Sequence, residues 1–256
     1  YNTSQQRRVI DNFEREASDA VEWYWSTRSD QADEQRESPD STRGRRAEVL
    51  GGRQMDGFAG LIEDVLVDVG VPREDVRHDY HATLPGYYRH EKEWDTAVVH
   101  EGNLLAVIEY KSIASSFGNN LNNRSEEAIG SFTDLLEAYE AGAFEPSPQP
   151  FVGYLMLMAD NEASRATPSP REVHFDVDSE FRGASYVDRV EQLCLRMVRK
   201  RTVNQSALVL TDEENGVDGD FWVPRQELAL ERFVRSLVAH VRGYVSVQQG
   251  IDNYGE

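Results

Sequence analysis

Residues 94–111, with the sequence WDTAVVHEGNLLAVIEYK, are the most informative part of the chain. It contains two runs rich in apolar and β-branched residues, 94–100 and 104–111. A short polar loop, Glu101-Gly102-Asn103, separates the two runs. Two such runs joined by three residues that include a glycine predict a β-hairpin.

The register of this hairpin brings charged side chains together. If His100 faces Leu104, Asp95 lies opposite Glu109, and opposed residues share one face of a sheet. Lys111 lies two residues beyond Glu109 on the same strand, so it shares that face as well. Two carboxylates placed directly opposite each other repel, and a cation between them relieves the repulsion. We therefore expect Asp95, Glu109 and Lys111 to form one site.

The residue types at this site suit phosphodiester hydrolysis. Two hard oxygen donors match Mg²⁺, which binds through one or two carboxylates, water and substrate phosphate. The metal would polarise a phosphoryl oxygen and lower the pKa of a bound water, which Lys111 would hold or help to deprotonate. The backbone carbonyl of Tyr110 is a further candidate ligand. The alternative is an edge hairpin with solvated charges, because isolated matches to this pattern are common in charged sequences.

Two observations favour the site over the solvated hairpin. Glu109 ends the apolar run 104–108, so it emerges from a buried strand. Lys111 is one of only three lysines among 27 basic residues. Lysine can lose a proton in a protein, whereas arginine in practice cannot, so a lysine here suits proton transfer.

The rest of the chain predicts an α/β fold with a mixed central sheet flanked by helices. Apolar residues at helical spacing predict five helices. These helices span 5–27, 55–69, 125–139, 185–201 and 224–247. The apolar run 151–158 predicts a buried central strand, and 206–210 predicts another. Asn123 and Glu126 have the spacing of a capping box at the start of the third helix.

The charge balance says more about the solvent than about the ligand. There are 46 acidic and 27 basic residues, for a net charge of −19. Phosphate binding relies on cations, so this balance alone argues against a nucleic-acid partner. However, acid excess with scarce lysine also suits molar salt, where the Debye length falls to about 3 Å and self-repulsion is screened. An ordinary acidic protein, with arginine favoured by a GC-rich genome, is the alternative.

Composition also limits the compartment and the cofactors. The single cysteine, Cys194, excludes an internal disulfide and fits a reducing cytoplasm. We expect no membrane association, because no apolar run approaches the roughly 18 residues of a membrane span. The polar residues 1–8 predict no signal peptide. No glycine-rich phosphate loop occurs, so we expect no nucleotide cofactor.

Four strings of this sequence resemble a known family. They are LPGYYRHEKEWD (84–95), VIEYKS (107–112), SSFGNNLNNRSEEA (115–128) and GYLMLMAD (153–160). They are similar to strings of XhoI-type restriction endonucleases, a group of the PD-(D/E)xK nuclease superfamily. The resemblance implies the restriction-endonuclease-like fold and Mg²⁺-dependent cleavage of double-stranded DNA by a homodimer. It also implies cleavage at the palindrome CTCGAG, leaving 5′ overhangs.

The resemblance also assigns roles to residues. Asp95 and Glu109 match the metal-binding acids, and Lys111 matches the catalytic lysine. Trp94 stands where the superfamily pattern has proline, a departure that removes no ligand. Glu63, on the helix 55–69, matches an acid that completes the metal site in some relatives, although a solvated helix glutamate is the ordinary interpretation.

By composition and resemblance, the chain divides into three segments. We expect an N-terminal helical segment at 1–30, a polar linker or mobile loop at 31–47, and the PD-(D/E)xK nuclease domain at 48–256. The N-terminal helix is expected to pack on that domain, so that the whole forms one unit.

Two further clusters are candidates for DNA contact. Asparagine and arginine can bond base edges or phosphates, and the string after the catalytic strand is rich in them. Its candidate residues are Ser115, Ser116, Asn119, Asn120, Asn122, Asn123 and Arg124. The alternative is a turn-rich loop without a partner. The basic and aromatic segment that precedes the hairpin supplies Tyr88, Arg89 and Lys92; here the alternative is that the tyrosines simply pack.

Other candidate groups are weaker. We expect His78 and His81 to be surface histidines, because no third metal ligand is evident. Cys194 falls on the apolar pattern of its helix, so a core position is expected. The cluster at 23–25, Trp-Tyr-Trp, is expected to pack or to form a dimer contact.

Three hypotheses follow. The first is a Type II restriction endonuclease of XhoI type from a salt-adapted organism, acting as a homodimer on its palindrome. The second is a nuclease of the same superfamily with a repair or structure-selective role. The third is a catalytically silent DNA-binding module.

Overall fold

The computed structural model describes residues 3–37, 53–172 and 174–252, with side chains described within 12–30, 53–172 and 174–245. Seven strands lie in these ranges. They are β1 (Val76–His78), β2 (Thr83–Pro85), β3 (Glu91–Glu93), β4 (Thr96–His100), β5 (Asn103–Ile113), β6 (Phe151–Ala159) and β7 (Gln205–Thr211).

The strands form a mixed five-stranded sheet and a separate pair. The sheet has the order β1-β4-β5-β6-β7, and β2 pairs with β3. The first two pairings of the sheet are antiparallel, and the last two are parallel. Every residue of β6 and β7 is buried, as expected for strands covered by helices on both faces. The prediction of an α/β fold with a mixed central sheet is confirmed.

Helices cover both faces of this sheet. Six α-helices are described. They are α1 (Thr3–Glu37), α2 (Asp56–Asp68), α3 (Phe117–Glu140), α4 (Tyr186–Arg199), the one-turn α5 (Glu213–Gly216) and α6 (Leu230–Asp252). Alternate residues of β6 face opposite layers: Phe151 packs edge-on against Phe233 of α6, whereas Tyr154 packs edge-on against Phe132 of α3. No helix in the described ranges is both long and apolar enough to cross a membrane.

The β4–β5 hairpin has the predicted register next to the proposed site. Thr96 is opposite Ile108 and Ala97 is opposite Val107. At the tip the prediction was wrong: His100 faces Asn103 rather than Leu104. The connection is a two-residue turn, Glu101-Gly102, with φ of 50° and 77°, and positive φ at both positions matches the twist of a hairpin. A register shift between residues 98 and 99 absorbs the extra residue.

The start of α3 differs from the prediction. The helix begins at Phe117 instead of residue 125, so most of the polar string 115–124 is helical. Phe117 and Leu121 are buried one turn apart and anchor the first turns. The predicted capping box at Asn123 is therefore wrong, because that residue lies within the helix. Ser116 precedes the helix in a left-handed conformation.

The N-terminal helix packs closely on the second helix. A Cβ on Gly57 of α2 would lie 3.0 Å from the Cα of Ala20, so the glycine permits the close approach. Tyr24 and Trp25 are buried, which confirms the expectation of packing, whereas Trp23 is half-exposed. α1 continues to Glu37, beyond the predicted end at residue 27. The remainder of the expected linker, 38–47, lies outside the described residues.

The C-terminal helices also differ slightly from prediction. α4 begins after Ser185, whose side chain forms a capping box with Asp188. α6 begins at Leu230 rather than residue 224, because a short 3₁₀ turn at 226–228 precedes it. Cys194 is buried in the core as predicted, and burial raises the pKa of its thiol to about 12.

Candidate active site

The structure brings Asp95, Glu109 and Lys111 together at one edge of the β4–β5 hairpin. The ammonium of Lys111 lies 2.6 Å from Glu109 Oε1 and 3.1 Å from Asp95 Oδ2. Asp95 directly precedes β4, while the other two alternate along β5 and so share its face. The hairpin register alone is sufficient to produce this convergence.

Asp95 is fixed from two directions. The backbone N–H of Tyr110 donates to Asp95 Oδ2 at 2.7 Å, as does the ammonium of Lys111 at 3.1 Å. Just before it, Trp94 is almost fully buried and stacks on Phe132 of α3, with ring centroids 5.7 Å apart. A buried indole therefore anchors the backbone directly before Asp95.

Burial and charge determine the protonation of these groups. Desolvation raises the pKa of Asp95 above its ordinary value, the charge of Glu109 raises it further, and Lys111 opposes both. For Lys111, burial alone would lower the pKa, but the charges of Glu109 and Asp95 outweigh it and raise the pKa. In the metal-free protein Lys111 is therefore an ammonium, which holds the two carboxylates together and does not act as a base.

The donor set fits a hard divalent cation. Asp95 and Glu109 contribute carboxylates that touch the same ammonium, and the side chain of Asp95 is 38% exposed, which gives access from solvent. Mg²⁺ sites of this kind use one or two carboxylates and complete the shell with water and phosphate. Tyr110 lies between Glu109 and Lys111 on β5, and its backbone carbonyl remains a candidate ligand.

Glu63 does not join the three side chains directly. Its carboxylate pairs with Arg73 and, at 2.8 Å, with His78 Nε2. The other ring nitrogen of His78 lies 3.3 Å from the carbonyl of Asp95 and 3.1 Å from Thr96 Oγ1. Within the ranges that the structure describes, no three His, Cys, Asp or Glu side chains are arranged to hold a metal ion. Glu63 is thus linked to Asp95 through His78, and its role as a ligand stays a prediction.

The two histidines of β1 and the following turn behave differently. His81 is exposed, as expected. His78 is partly buried and hydrogen-bonded to Glu63, so the expectation that it is a surface residue was wrong. Its partners lie on α2 and at the start of β4, which sequence spacing alone does not connect.

Lys92, one of the predicted DNA contacts, lies at the site itself. Its ammonium is 3.2 Å from both carboxylate oxygens of Glu109, and its contact with DNA stays a prediction. The side chain is only 15% exposed. A signal for this position was present, because the scarcity of lysine that singles out Lys111 applies equally to Lys92.

The predicted DNA contacts after β5 lie just before α3 and in its first turns. Ser115, Ser116, Asn119, Asn122 and Asn123 are exposed, whereas Asn120 and Arg124 are partly buried. Two of them have local partners: Asn120 Nδ2 donates to the carbonyl of Ser115 at 2.6 Å, and Arg124 pairs with Glu127 at 2.6 Å. The exposed members present amide and hydroxyl groups at the helix start.

A buried carboxylate organises the loop between β2 and β3. Asp134 of α3 accepts the backbone N–H of Tyr87 at 2.9 Å and of Tyr88 at 2.6 Å. Its other oxygen pairs with Arg89 at 3.1 Å. A Cβ on Gly86 would lie 2.5 Å from Asp134, so this loop requires glycine there. Tyr88 is 69% exposed, so it does not pack into the core.

Comparison with known proteins decides the family. The sequence model described as restriction endonuclease XhoI matches residues 34–223. The chain belongs to the XhoI restriction endonuclease family. All four strings that carry the resemblance lie inside the matched range. The predicted family is therefore confirmed.

Three curated relatives have similar sequence identities to this chain. The Type II restriction enzyme BstVI of Geobacillus stearothermophilus is 42% identical over 204 residues, which cover 77% of this chain and 91% of that protein. The Type II restriction enzyme XhoI of Xanthomonas vasicola is 41% identical over 191 residues, covering 73% and 76% respectively. AbrI of Azospirillum brasilense, also a Type II restriction enzyme, is 42% identical over 167 residues, covering 64% and 74%. No solved structure matches the chain significantly.

Proposed function

We propose that the chain is a Type II site-specific deoxyribonuclease that cleaves both strands of DNA with Mg²⁺. The observation that carries the proposal is the contact of Lys111 with both Asp95 and Glu109 at the hairpin edge. Membership of the XhoI family supports the same activity. The acid–acid–lysine set also weighs against a catalytically silent DNA-binding module.

Each residue of the site has a distinct task in this proposal. Asp95 and Glu109 would hold the metal, with Tyr110 and Glu63 as further candidate ligands. Bound Mg²⁺ supplies Lewis-acid polarisation of the scissile phosphate and lowers the pKa of water. Lys111 positions the attacking water and stabilises the growing negative charge with its ammonium. The N–H of Tyr110 keeps the Asp95 carboxylate oriented by its hydrogen bond.

Two surfaces next to the site are proposed to contact DNA. The exposed amides and hydroxyls at the start of α3 suit base edges and phosphates. On the β2–β3 loop, Tyr88 is exposed, whereas Arg89 is paired with Asp134. Tyr88 is therefore the better candidate on that loop, because its hydroxyl and ring face solvent.

The finer details of the function come from the resemblance. We propose cleavage at CTCGAG leaving 5′ overhangs, by a homodimer whose twofold symmetry matches the palindrome. The net charge of −19 and the three lysines support a cytoplasmic protein of a salt-adapted organism. At high salt, phosphate contacts weaken steeply, so base contacts would have to contribute more of the affinity.

Digestion of a plasmid of known sequence tests the proposal. The protein is incubated with Mg²⁺ across a series of KCl concentrations up to molar, and the product ends are sequenced. Discrete fragments with 5′ overhangs at CTCGAG are expected. Smears or nicks would indicate a repair or structure-selective nuclease instead. Tight binding without cleavage in Mg²⁺ or Mn²⁺ would indicate a silent DNA-binding module.

A further inference from the structure

Two of the three lysines of the chain meet at one carboxylate. Lys111 contacts Glu109 Oε1 at 2.6 Å, and Lys92 lies 3.2 Å from both oxygens of the same group. The side chain of Glu109 is 8% exposed and that of Lys92 is 15% exposed. Glu109 is therefore held between two ammonium groups at a site from which most water is excluded.

The choice of lysine for this second positive charge needs a reason. Burying an ammonium is costly, and Lys111 is shared between Glu109 and Asp95, so a second cation balances the remaining negative charge. Elsewhere the chain uses arginine almost exclusively for its positive charges. Arginine holds a carboxylate through a fixed fork, whereas lysine is a compact point charge on a flexible stem. A lysine at this position suits a contact that must be released.

The surroundings of Lys92 allow such a release. Its ammonium lies 4.4 Å from the ring centroid of Trp94 and donates to the carbonyl of Glu93 at 3.0 Å. Both contacts can retain the ammonium at the site edge when Glu109 is no longer its partner, because an aromatic face attracts a cation. Trp94 is itself immobilised by stacking on Phe132.

We propose that Lys92 is a second active-site lysine that competes with the divalent cation for Glu109. In the metal-free protein it neutralises that carboxylate. When Glu109 is used as a metal ligand, the ammonium of Lys92 is freed and contacts the scissile phosphate. The inference rests on the proposed nuclease function and assigns Lys92 to the chemistry rather than to general DNA binding.

The charges in the site support this assignment. Asp95 and Glu109 carry two negative charges, which Lys92 and Lys111 balance in the metal-free protein. A phosphodiester under attack gains negative charge beyond the one it carries at rest, and that charge is stabilised best by fixed cations in a dry site. A freed ammonium within the same site supplies such a cation.

The test uses Lys92→Met, which removes the charge and keeps an unbranched chain over Trp94. Lys92→Arg is the charge-conserving variant, and Lys200→Met is the matched control, because Lys200 is the remaining lysine and lies exposed just after α4. Lys92→Gln replaces Lys92→Met if circular dichroism shows that the latter is unfolded. Mn²⁺ affinity is measured by electron paramagnetic resonance without DNA, and kcat and KM are measured on a short duplex containing CTCGAG.

The proposal requires two changes together. Lys92→Met should bind Mn²⁺ about tenfold more tightly, because one repulsive charge next to the ligand is gone, and its kcat should fall about 100-fold, within the range of a lost electrostatic contact. Lys92→Arg should recover part of kcat, and Lys200→Met should match the wild type. A raised KM with unchanged kcat and Mn²⁺ affinity would overturn the proposal in favour of simple DNA binding. Any other combination also overturns it. Failure of the wild type to cleave this duplex would instead refute the proposed cleavage site, and failure to cleave the plasmid as well would refute the nuclease function.

Discussion

The protein contains two kinds of ion pair, and they differ in chemistry and exposure. At the hairpin, Lys111 pairs with Asp95 and Glu109, and the side chain of Lys111 is only 18% exposed. On α6, Arg235 pairs with Glu231 through side chains that are 54% and 55% exposed. Exposed pairs are screened by salt and contribute little stability, whereas buried charges interact strongly and shift each other's pKa. Of these two pairs, the one at the proposed active site is therefore the more strongly coupled.

The largest effect is expected at Lys111. Lys111→Ala should reduce kcat about 1,000-fold, of the order seen when one essential electrostatic group is removed, and its melting temperature should fall, because two carboxylates lose their shared ammonium. Lys111→Arg should remain inactive, because a guanidinium cannot take over a single-point contact with water. Single-turnover cleavage with Mg²⁺ measures both variants. Wild-type rates in Lys111→Arg would mean that only the positive charge matters. The choice of lysine over arginine would then not distinguish the hairpin pair from the exposed pair on α6.

The pair of buried Asp134 with Arg89, whose side chain is 43% exposed, lies between these two cases. Asp134→Ala should lower the free energy of unfolding by about 2–3 kcal/mol, because the backbone N–H groups of Tyr87 and Tyr88 lose their acceptor. It should also raise KM for DNA if the loop contacts the duplex. Urea unfolding and steady-state cleavage measure the two effects. Tyr88→Ala is the control, which should raise KM and leave stability unchanged. An unaltered KM in both variants would remove this loop from the DNA interface.

A smaller effect, an increase in stability, is expected when Asp95 is replaced. Its pKa is raised above the ordinary value of 3.8, so the native state binds protons more readily than the unfolded state as pH falls. The ionised carboxylate therefore lowers stability at a pH above its native pKa. This cost disappears as the pH drops below the pKa of the unfolded state. In the metal-free protein, Asp95→Asn should melt a few degrees higher at pH 7, and the gain should shrink toward pH 4. Differential scanning calorimetry in EDTA gives both values. A lower melting temperature at pH 7 would show that Lys111 more than compensates for the buried charge.

The smallest effect is expected on the surface. Arg235→Gln should change the free energy of unfolding by about 0.5 kcal/mol or less, as is usual for an exposed helix pair. Even that difference should vanish in molar KCl, where the Debye length is about 3 Å. Denaturant titrations at low and high salt measure it. A loss that persists in molar KCl would place this pair with the buried ones.

The sequence predicts the convergence of the three side chains of the proposed site because their contacts are local. Asp95, Glu109 and Lys111 lie on two strands joined by a tight turn, and a hairpin register follows from alternation and turn chemistry. The one-residue error in the predicted pairing of His100 does not affect Asp95, because the register shift between residues 98 and 99 restores the predicted pairing from Val98 onward. The XhoI resemblance also identified the family correctly.

The parts that were missed depend on distant contacts. The first turns of α3 are rich in Asn, Ser and Gly, which have low helix propensity, yet burial of Phe117 and Leu121 outweighs it. His78 finds its partner Glu63 on α2, fifteen residues away. Lys92 reaches Glu109 across a separate strand pair, seventeen residues away. No local period encodes such pairings.

Anomalous diffraction from Mn²⁺ in crystals of the wild-type protein would show whether Asp95 and Glu109 bind the metal together. Mn²⁺ prefers the same oxygen ligands as Mg²⁺ and is visible by its anomalous signal. We predict a peak bonded to the carboxylates of both Asp95 and Glu109, at about 2.0–2.2 Å, with Lys111 beside it. A strongest peak on Glu63 and His78, with the Asp95–Lys111–Glu109 contacts unchanged, would contradict the assignment.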